Sequence, residues 1–348
     1  MQKNYSMKRQ NVTASNSTAH KIKGAAWLVR VCVLTIGLTF GAASCHAACP
    51  SGTVSLYTPT PAGSQLEALY GLLPVLWRAY FKETLQLTSS PGRGGSYAVS
   101  RLLDTKDSRC FLAVVILPSV YLIAETTDSM FGDGDLNIVA VLASAPNAIW
   151  VAEESPFHSL ADLVIHARAV NEKKGEFFTL AGTGRYTDQH LATLEFDRAA
   201  GVKSLYLPVL GSAEAAQAVK DGQATACWAY GVMPESMPGM RALGVAGEQR
   251  NPALPGVPTF REVHVDMINV AHFALAAAPR LPEEVMLQIR NSLATLMTDQ
   301  GLLGLMAARG FIPLALDPQD LGAFLEGQRN DVGLRLAEYD LIPKHLQR

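Results

Sequence analysis

From Pro50 onward, short apolar runs alternate with longer amphipathic ones, and this rhythm constrains the fold more than any other feature of the chain. Such alternation suits a largely parallel sheet with helices laid over its faces. The strands read as "TVSLYT" (53–58), "LQLTS" (85–89), "CFLAVVIL" (110–117) and "NIVAVLA" (137–143). Between the first two lies a helical stretch, "SQLEALYGLLPVLWRAYF", in which Pro74 predicts a kink or break. A short helix, "GGSYAVSRLLDT", precedes the third strand. Past Pro146 a second series begins. Its strands are "AIWVAE", "EFFTLAG", "SLYLPVLG", "ATACWAYG" and "MRALGVAG". One of its helices starts at Ser155 before Pro156, or at Ser159 with Asp162 three residues on. Another, "SAEAAQAVKDG", ends at Gly222. "VAHFALAAAPRLP" is extended, and three further helices close the chain, the last opened by Pro318.

Those last helices need a sheet to cover, and the first series has open sheet faces. The chain is therefore expected to return there, giving two α/β lobes joined by two crossings, near residues 145–149 and 269–274. The expected divisions are 1–47 as a leader, 48–147 plus 273–348 as lobe 1, and 148–272 as lobe 2. A length of 348 residues also favours two domains over one core, and 49% hydrophobic against 17% charged residues excludes a disordered chain.

The first 47 residues stand apart. They hold six of the 29 Lys and Arg and none of the 31 Asp and Glu, so the remainder carries a net charge of −8. A basic head, the apolar run 31–43 and an A-x-A-like end form a secretory signal peptide, with cleavage expected after Ala47. A retained anchor is the alternative, although the run is short for a bilayer. Lipid attachment at Cys45 and a start at Met7 both stay open. The acidic balance, with no basic cluster, argues against nucleic acid as a partner. Export leaves Cys49, Cys110 and Cys227. If the strands beside Cys49 and Cys110 are parallel neighbours, a disulfide joins them; otherwise all three are thiols. Cys227 reads as a buried core thiol. No Cys or His spacing suggests a metal, and no cofactor is expected.

Four turns carry unusual chemistry: "TPTPAGSQ" (58–65), "PGRGGS" (91–96), "AGTGRYTDQ" (181–189) and "LGSAE" (210–214). Each follows a strand and opens a helix. In open α/β sheets ligands bind at the carboxyl ends of strands. Helix starts there offer unpaired N–H groups and a partial positive charge, worth about 0.3 to 2 kcal/mol each for an anion. Taken one at a time, such turns are also ordinary caps. None is a nucleotide motif: the third glycine of the dinucleotide fingerprint and the Gly-Lys-Ser/Thr phosphate loop are missing. Arg93 and Arg185 would pair a carboxylate or sit in solvent.

In these segments the chain resembles the tripartite tricarboxylate transporter receptor family, the Bug-type periplasmic solute-binding proteins. "TPTPAGS" is similar to that family's first ligand loop, "SSPGRGGSYAVSRL" to its strand and Pro-Gly-x-Gly-Gly turn, and "LAGTGRYTDQHLATLEF" to its loop before a His-Leu helix. "YLPVLGSAEAAQAVKDGQATACWA" and "RNPALPGVPTFREV" follow in the family's order. The resemblance implies a two-lobed periplasmic binding protein, type II-like, closing by a hinge on a small carboxylate gripped by loop amides. By position it implicates Pro61, Ala62, Gly63 and Ser64, then Thr183, Gly184, Arg185, Tyr186, Thr187 and His190, then Gly211 and Ser212. It departs from the family at Ala62, at Gln65-Leu66, at Arg185-Tyr186 and at Val209-Leu210, which points to a ligand other than the usual di- or tricarboxylate.

The function expected is a monomeric periplasmic receptor, not an enzyme, that delivers a small carboxylate to membrane transporter subunits. Signalling to a membrane sensor kinase is the alternative. A hydrolytic set of Ser212, His190 and Asp188 is disfavoured, since no G-x-S-x-G elbow exists and Asp188 and His190 are two apart in one element. Trp150, Trp228 and Tyr121 line the cleft or belong to the core. His158, His166, His264 and His272 show no convergent spacing.

Overall fold

A computed structural model of the chain describes Cys49 and residues 52–62, 64–106, 110–126, 131–232, 234–314 and 316–341. The expected leader, with Met7, Cys45 and the cleavage point at Ala47, lies outside the described residues, and so does Gly63.

In chain order the first elements are β1 (Thr53–Thr58), α1 (Glu67–Tyr70), α2 (Leu73–Phe81), β2 (Thr84–Ser89), α3 (Ser96–Leu103), β3 (Phe111–Leu117) and α4 (Ser119–Thr126). Next come β4 (Asn137–Ala152), α5 (Leu160–Asn171), β5 (Phe178–Thr183), α6 (Asp188–Ala200), β6 (Ser204–Val209), α7 (Ser212–Lys220), β7 (Ala226–Tyr230) and β8 (Met240–Val245). The chain closes with β9 (Val270–Ala277), α8 (Glu283–Leu296), α9 (Gln300–Ala308), β10 (Ile312–Pro313) and α10 (Pro318–Glu338). Local chemistry accounts for many of the boundaries. Pro74 splits the first helical stretch and sits in the opening turn of α2. Ser159 and Asp162 close a reciprocal capping box on α5.

The strands order as β2-β1-β3-β9-β4-β7-β5-β6, with β8 and β10 also pairing β4. β1 runs parallel to β2 and β3, and β5 runs parallel to β6 and β7. β4 belongs to both halves. Up to Pro146 it pairs with β9, and from Asn147 on it pairs with β7 and β8. The sequence reading put two strands here, ended and begun at Pro146; the structure joins them into one of 16 residues. Proline is tolerated because the strand changes partners at that point, and its carbonyl still accepts from the Gly231 N–H at 2.8 Å. β9 returns to the first half from Val270, pairing with both β3 and β4. Helix α4 had no counterpart in the sequence reading. It is buried on nearly every side, so it carries almost no amphipathic signature.

Each half is covered on both faces. Alternate residues of β3 divide between two clusters: Leu112 and Val114 pack with α2, α8 and α9, while Ala113, Val115 and Leu117 pack with α3, α4 and α10. In the second half Ile149 and Val151 face a cluster around Phe178, Phe196 and Trp228, and Ala148 and Trp150 face an alanine-rich cluster beneath α7. Strands buried on both faces read as unbroken apolar runs, which is how they look in the sequence. Trp150, Trp228 and Tyr121 are core residues. A disulfide joins Cys49 to Cys110 across the neighbouring ends of β1 and β3, and Cys227 is a free, buried thiol.

Candidate functional site

The loops that leave β1, β2, β5 and β6 converge where the two halves of the sheet meet, together with the end of β3. The pocket they form is lined from the first half by Thr60, Ser64, Gln65, Gly94, Gly95 and Ser119, among others. From the second half come Thr183, Thr187, Asp188, Gln189, Leu210, Ser212 and Tyr230. Its cavity volume is about 30 Å³, room for about two waters rather than for a solute. The halves are drawn together so closely that backbone meets backbone. A Cβ built on Gly94 would lie 2.7 Å from Thr187 Cγ2, and one on Gly184 would lie 3.1 Å from the Gly94 nitrogen. Both residues have positive φ, 64° and 65°, so glycine is required on two counts.

Of the residues expected at the site, Ser64, Thr183, Thr187 and Ser212 line this pocket. Pro61 and Gly211 approach each other across it, with 3.4 Å between Pro61 Cδ and a Cβ built on Gly211. Ala62 and Arg185 are exposed. Tyr186 packs its ring edge-on against His190 at 5.8 Å and has φ 60°. His190 lies beneath the loop. Its Nδ1 accepts from the Tyr186 N–H at 3.3 Å, and its ring stacks at a tilt on Tyr206 at 4.7 Å. Burial, with the Arg185 guanidinium nearby, pushes its imidazole down to about 4. Asp188 bonds to Ser119 and Asn147 instead, so no hydrogen bond links Ser212, His190 and Asp188 among the described residues.

The group at the floor of the pocket is Asp188, which the sequence reading weighs only as part of a hydrolytic set. Asp188, the first residue of α6, is 1% exposed. Its Oδ1 accepts from the Ser119 hydroxyl at 2.7 Å, while its own N–H donates to that hydroxyl at 2.8 Å. Its Oδ2 accepts from Asn147 Nδ2 at 2.8 Å. The Tyr230 hydroxyl and the Gln189 N–H are also within hydrogen-bonding reach. Burial raises the Asp188 carboxyl above the usual carboxylate range, and the bonds from Asn147 and Ser119 oppose that rise. Thr187 caps the same helix by accepting from the His190 N–H at 3.3 Å.

Two nearby helix starts are different. α3 follows Gly95 and α7 follows Gly211, and neither N-cap supplies a side-chain hydrogen bond. Two side-chain donors accompany them. Ser212 is 9% exposed and its hydroxyl has no partner among the described residues. Gln189 is 1% exposed. Its Oε1 must be the acceptor, because it takes both the Thr183 N–H at 2.8 Å and the Thr183 hydroxyl at 3.1 Å. That leaves its Nε2 without a partner among the described residues. None of the described lining residues is Lys, Arg or His. No group of three or more His, Cys, Asp or Glu among the described residues is arranged to hold a metal ion.

The site reaches the crossings between halves. Asn147 Nδ2 also donates to Asn269 Oδ1 at 2.6 Å, and Asn269 Nδ2 donates to Glu195 Oε2 at 2.7 Å. Glu195 is ion-paired with Arg335 on α10. Gln65 and the Tyr230 backbone exchange two bonds between halves, at 3.3 and 3.1 Å.

Two α/β lobes, crossed by β4 and by the return into β9, with a pocket at the strand ends between them, define the architecture of a periplasmic-type solute-binding protein. Residues 90–340 match the tripartite tricarboxylate transporter family receptor, and the chain belongs to that family. It is similar to the UPF0065 protein in the gbd 5' region of Cupriavidus necator, 28% identical over 195 residues, 54% of this chain and 57% of that relative. The chain thus spans little more than half of that relative's length. Among solved structures, the periplasmic binding protein BugD superposes with a TM-score of 0.74 at 17% identity, covering 83% of this chain and 98% of that one. Rpa4515 of R. palustris, solved with adipate, gives 0.73 at 21% identity, covering 83% and 97%. At these identities the structures speak for the fold.

Proposed function

We propose that this protein is an exported, periplasmic receptor that captures a small carboxylate between its lobes and presents it to the membrane subunits of a tripartite transporter. The observation that carries this reading is the pair of uncapped helix starts, α3 from one lobe and α7 from the other, lining one pocket with the unpartnered Gln189 amide and Ser212 hydroxyl. Donors that face a pocket with no partner among the described residues are free to bond a ligand, and an anion suits this set. The adipate on Rpa4515 supports a carboxylate as the class. The site proposed comprises Ser64, Thr183, Thr187, Gln189, Gly211 and Ser212, with Pro61 and the loop 92–95 closing over it.

Admission of a solute requires the lobes to part. The hinge proposed is Asn147 on β4 and Asn269 before β9, where the Asn147 N–H donates to the Asn269 carbonyl at 2.9 Å. Ligand touching both lobes favours the closed state by its differential contact, which couples capture to shape. The family is a solute-binding family rather than a catalytic one, and retained ligand without turnover is expected. Thermal unfolding of the purified protein against a panel of small carboxylates tests the proposal. Ligand at about 100 times its dissociation constant adds about 2.7 kcal/mol, several degrees of midpoint. A shift that is lost in Thr183→Val and Ser212→Ala supports it; no shift with any carboxylate refutes it.

A further inference from the structure

The pocket is unusual in its charge. One helix start at its wall, α6, already holds an anion: the Asp188 carboxylate, bonded to Ser119 and Asn147 and lying at the head of its own helix. Ser119 and Asn147 each bond one of its oxygens, and Tyr230 and the Gln189 N–H lie in reach. Its bonds run to the protein, yet it lines the wall that a ligand must face. A second carboxylate stands close by. Glu214, the third residue of α7, turns back so that a Cβ on Gly211 would lie 3.0 Å from its Oε2, an oxygen with no hydrogen bond among the described residues. Against these two acids the described lining residues offer no cation. A ligand's first carboxylate finds the open starts of α3 and α7, Gln189 Nε2 and Ser212 Oγ. A second would find buried negative charge in a poorly screened site.

We propose that the pocket admits one negative charge only, taking a small monocarboxylate with a neutral far end, and that Asp188 sets this selectivity by filling the second anion position itself. This rests on the receptor reading above, and the test separates the two. Binding to the wild-type protein is measured by calorimetry with chain-matched acids: hexanoate and 6-hydroxyhexanoate against adipate, and butyrate and 4-hydroxybutyrate against succinate. At least one monocarboxylate is expected to bind tenfold or more tighter than its dicarboxylate partner. A dicarboxylate that binds as tightly as its partners, or more tightly, overturns the inference and leaves the receptor reading standing. No binding by any of the six overturns both. Asp188→Asn is expected to shrink the difference to threefold or less. An unchanged tenfold difference in a folded Asp188→Asn variant overturns the role given to Asp188. Should that variant not fold, the wild-type series still decides the ligand class.

Discussion

Helices α6 and α7 begin in the same way on paper and differ in what their first turns hold. Both follow a glycine-containing turn at the end of a parallel strand, and both line the same pocket. α6 is filled from within: Thr187 caps it, and Asp188 supplies a buried carboxylate held by a residue from the other lobe and one from the crossing strand β4. α7 is left open: Gly211 offers no cap, and Ser212 has no partner among the described residues. A turn before a helix is thus a place where an anion is stabilised, and the protein decides whether that anion is its own. On the reading proposed above, the open start is the one that takes the ligand.

The comparison breaks most severely at Asp188. Asp188→Leu would strand the Ser119 hydroxyl and the Asn147 amide in a buried site, so a loss on the order of 3 kcal/mol is expected. A urea titration that gives an unchanged midpoint would mean that α6 does not depend on its internal anion. Acid offers a second approach. His190 in α6 and His272 in β9 are both pushed by burial to about 4 from an ordinary 6.5. Between those values the unfolded chain binds protons that the folded chain refuses, so stability is complete above about pH 6.5 and falls as pH drops toward 4. Each histidine contributes up to about 3 kcal/mol at the low end. Asp188 and Asp197, whose carboxyls are raised by burial, act in the opposite direction. Urea midpoints at pH 7 and pH 5 should therefore differ less in His272→Gln than in the wild type.

Gly211→Ser sharpens the comparison by turning α7 into a second α6. Serine at that position with Glu214 three residues on completes a capping box, at the cost of a small shift of the Glu214 side chain. Helix stability should rise by a few tenths of a kcal/mol, while carboxylate affinity should fall about tenfold, because the new hydroxyl takes an N–H that the ligand needs. Equal affinity in calorimetry would remove α7 from the site. The smallest effect is expected from Thr187→Ala, which removes the α6 cap for about 1 kcal/mol of stability, read as a lower thermal midpoint.

Most of the fold was legible because its signals are local. Apolar runs marked the strands, Pro74 marked a helix break, and Ser159 with Asp162 marked a helix start. The crossings were legible too, since the terminal helices needed a sheet to cover. Two features were not. Pro146 reads as a stop, yet β4 passes through it because two different partners flank that residue. Helix α4 is short and buried except at Ala124 and Glu125, so it has little polar face to read. The loops that line the pocket are marked in the sequence by their glycines. Asp188 was weighed only within a hydrolytic set, Gln65 only as a departure from the family, and Gln189 was given no role; the partners of Asp188 and Gln65 come from distant parts of the chain.

Sequence alone determined where most helices lie, since caps act over three or four residues and hydrophobic period is written along the chain. It also determined that strand ends carry turns able to hold an anion. Only the tertiary structure decided which turns are already occupied. Asp188 meets Ser119 from 69 residues away and Asn147 from 41 away. The solvation of a buried charge is set by whatever folding brings against it, not by its neighbours in the chain.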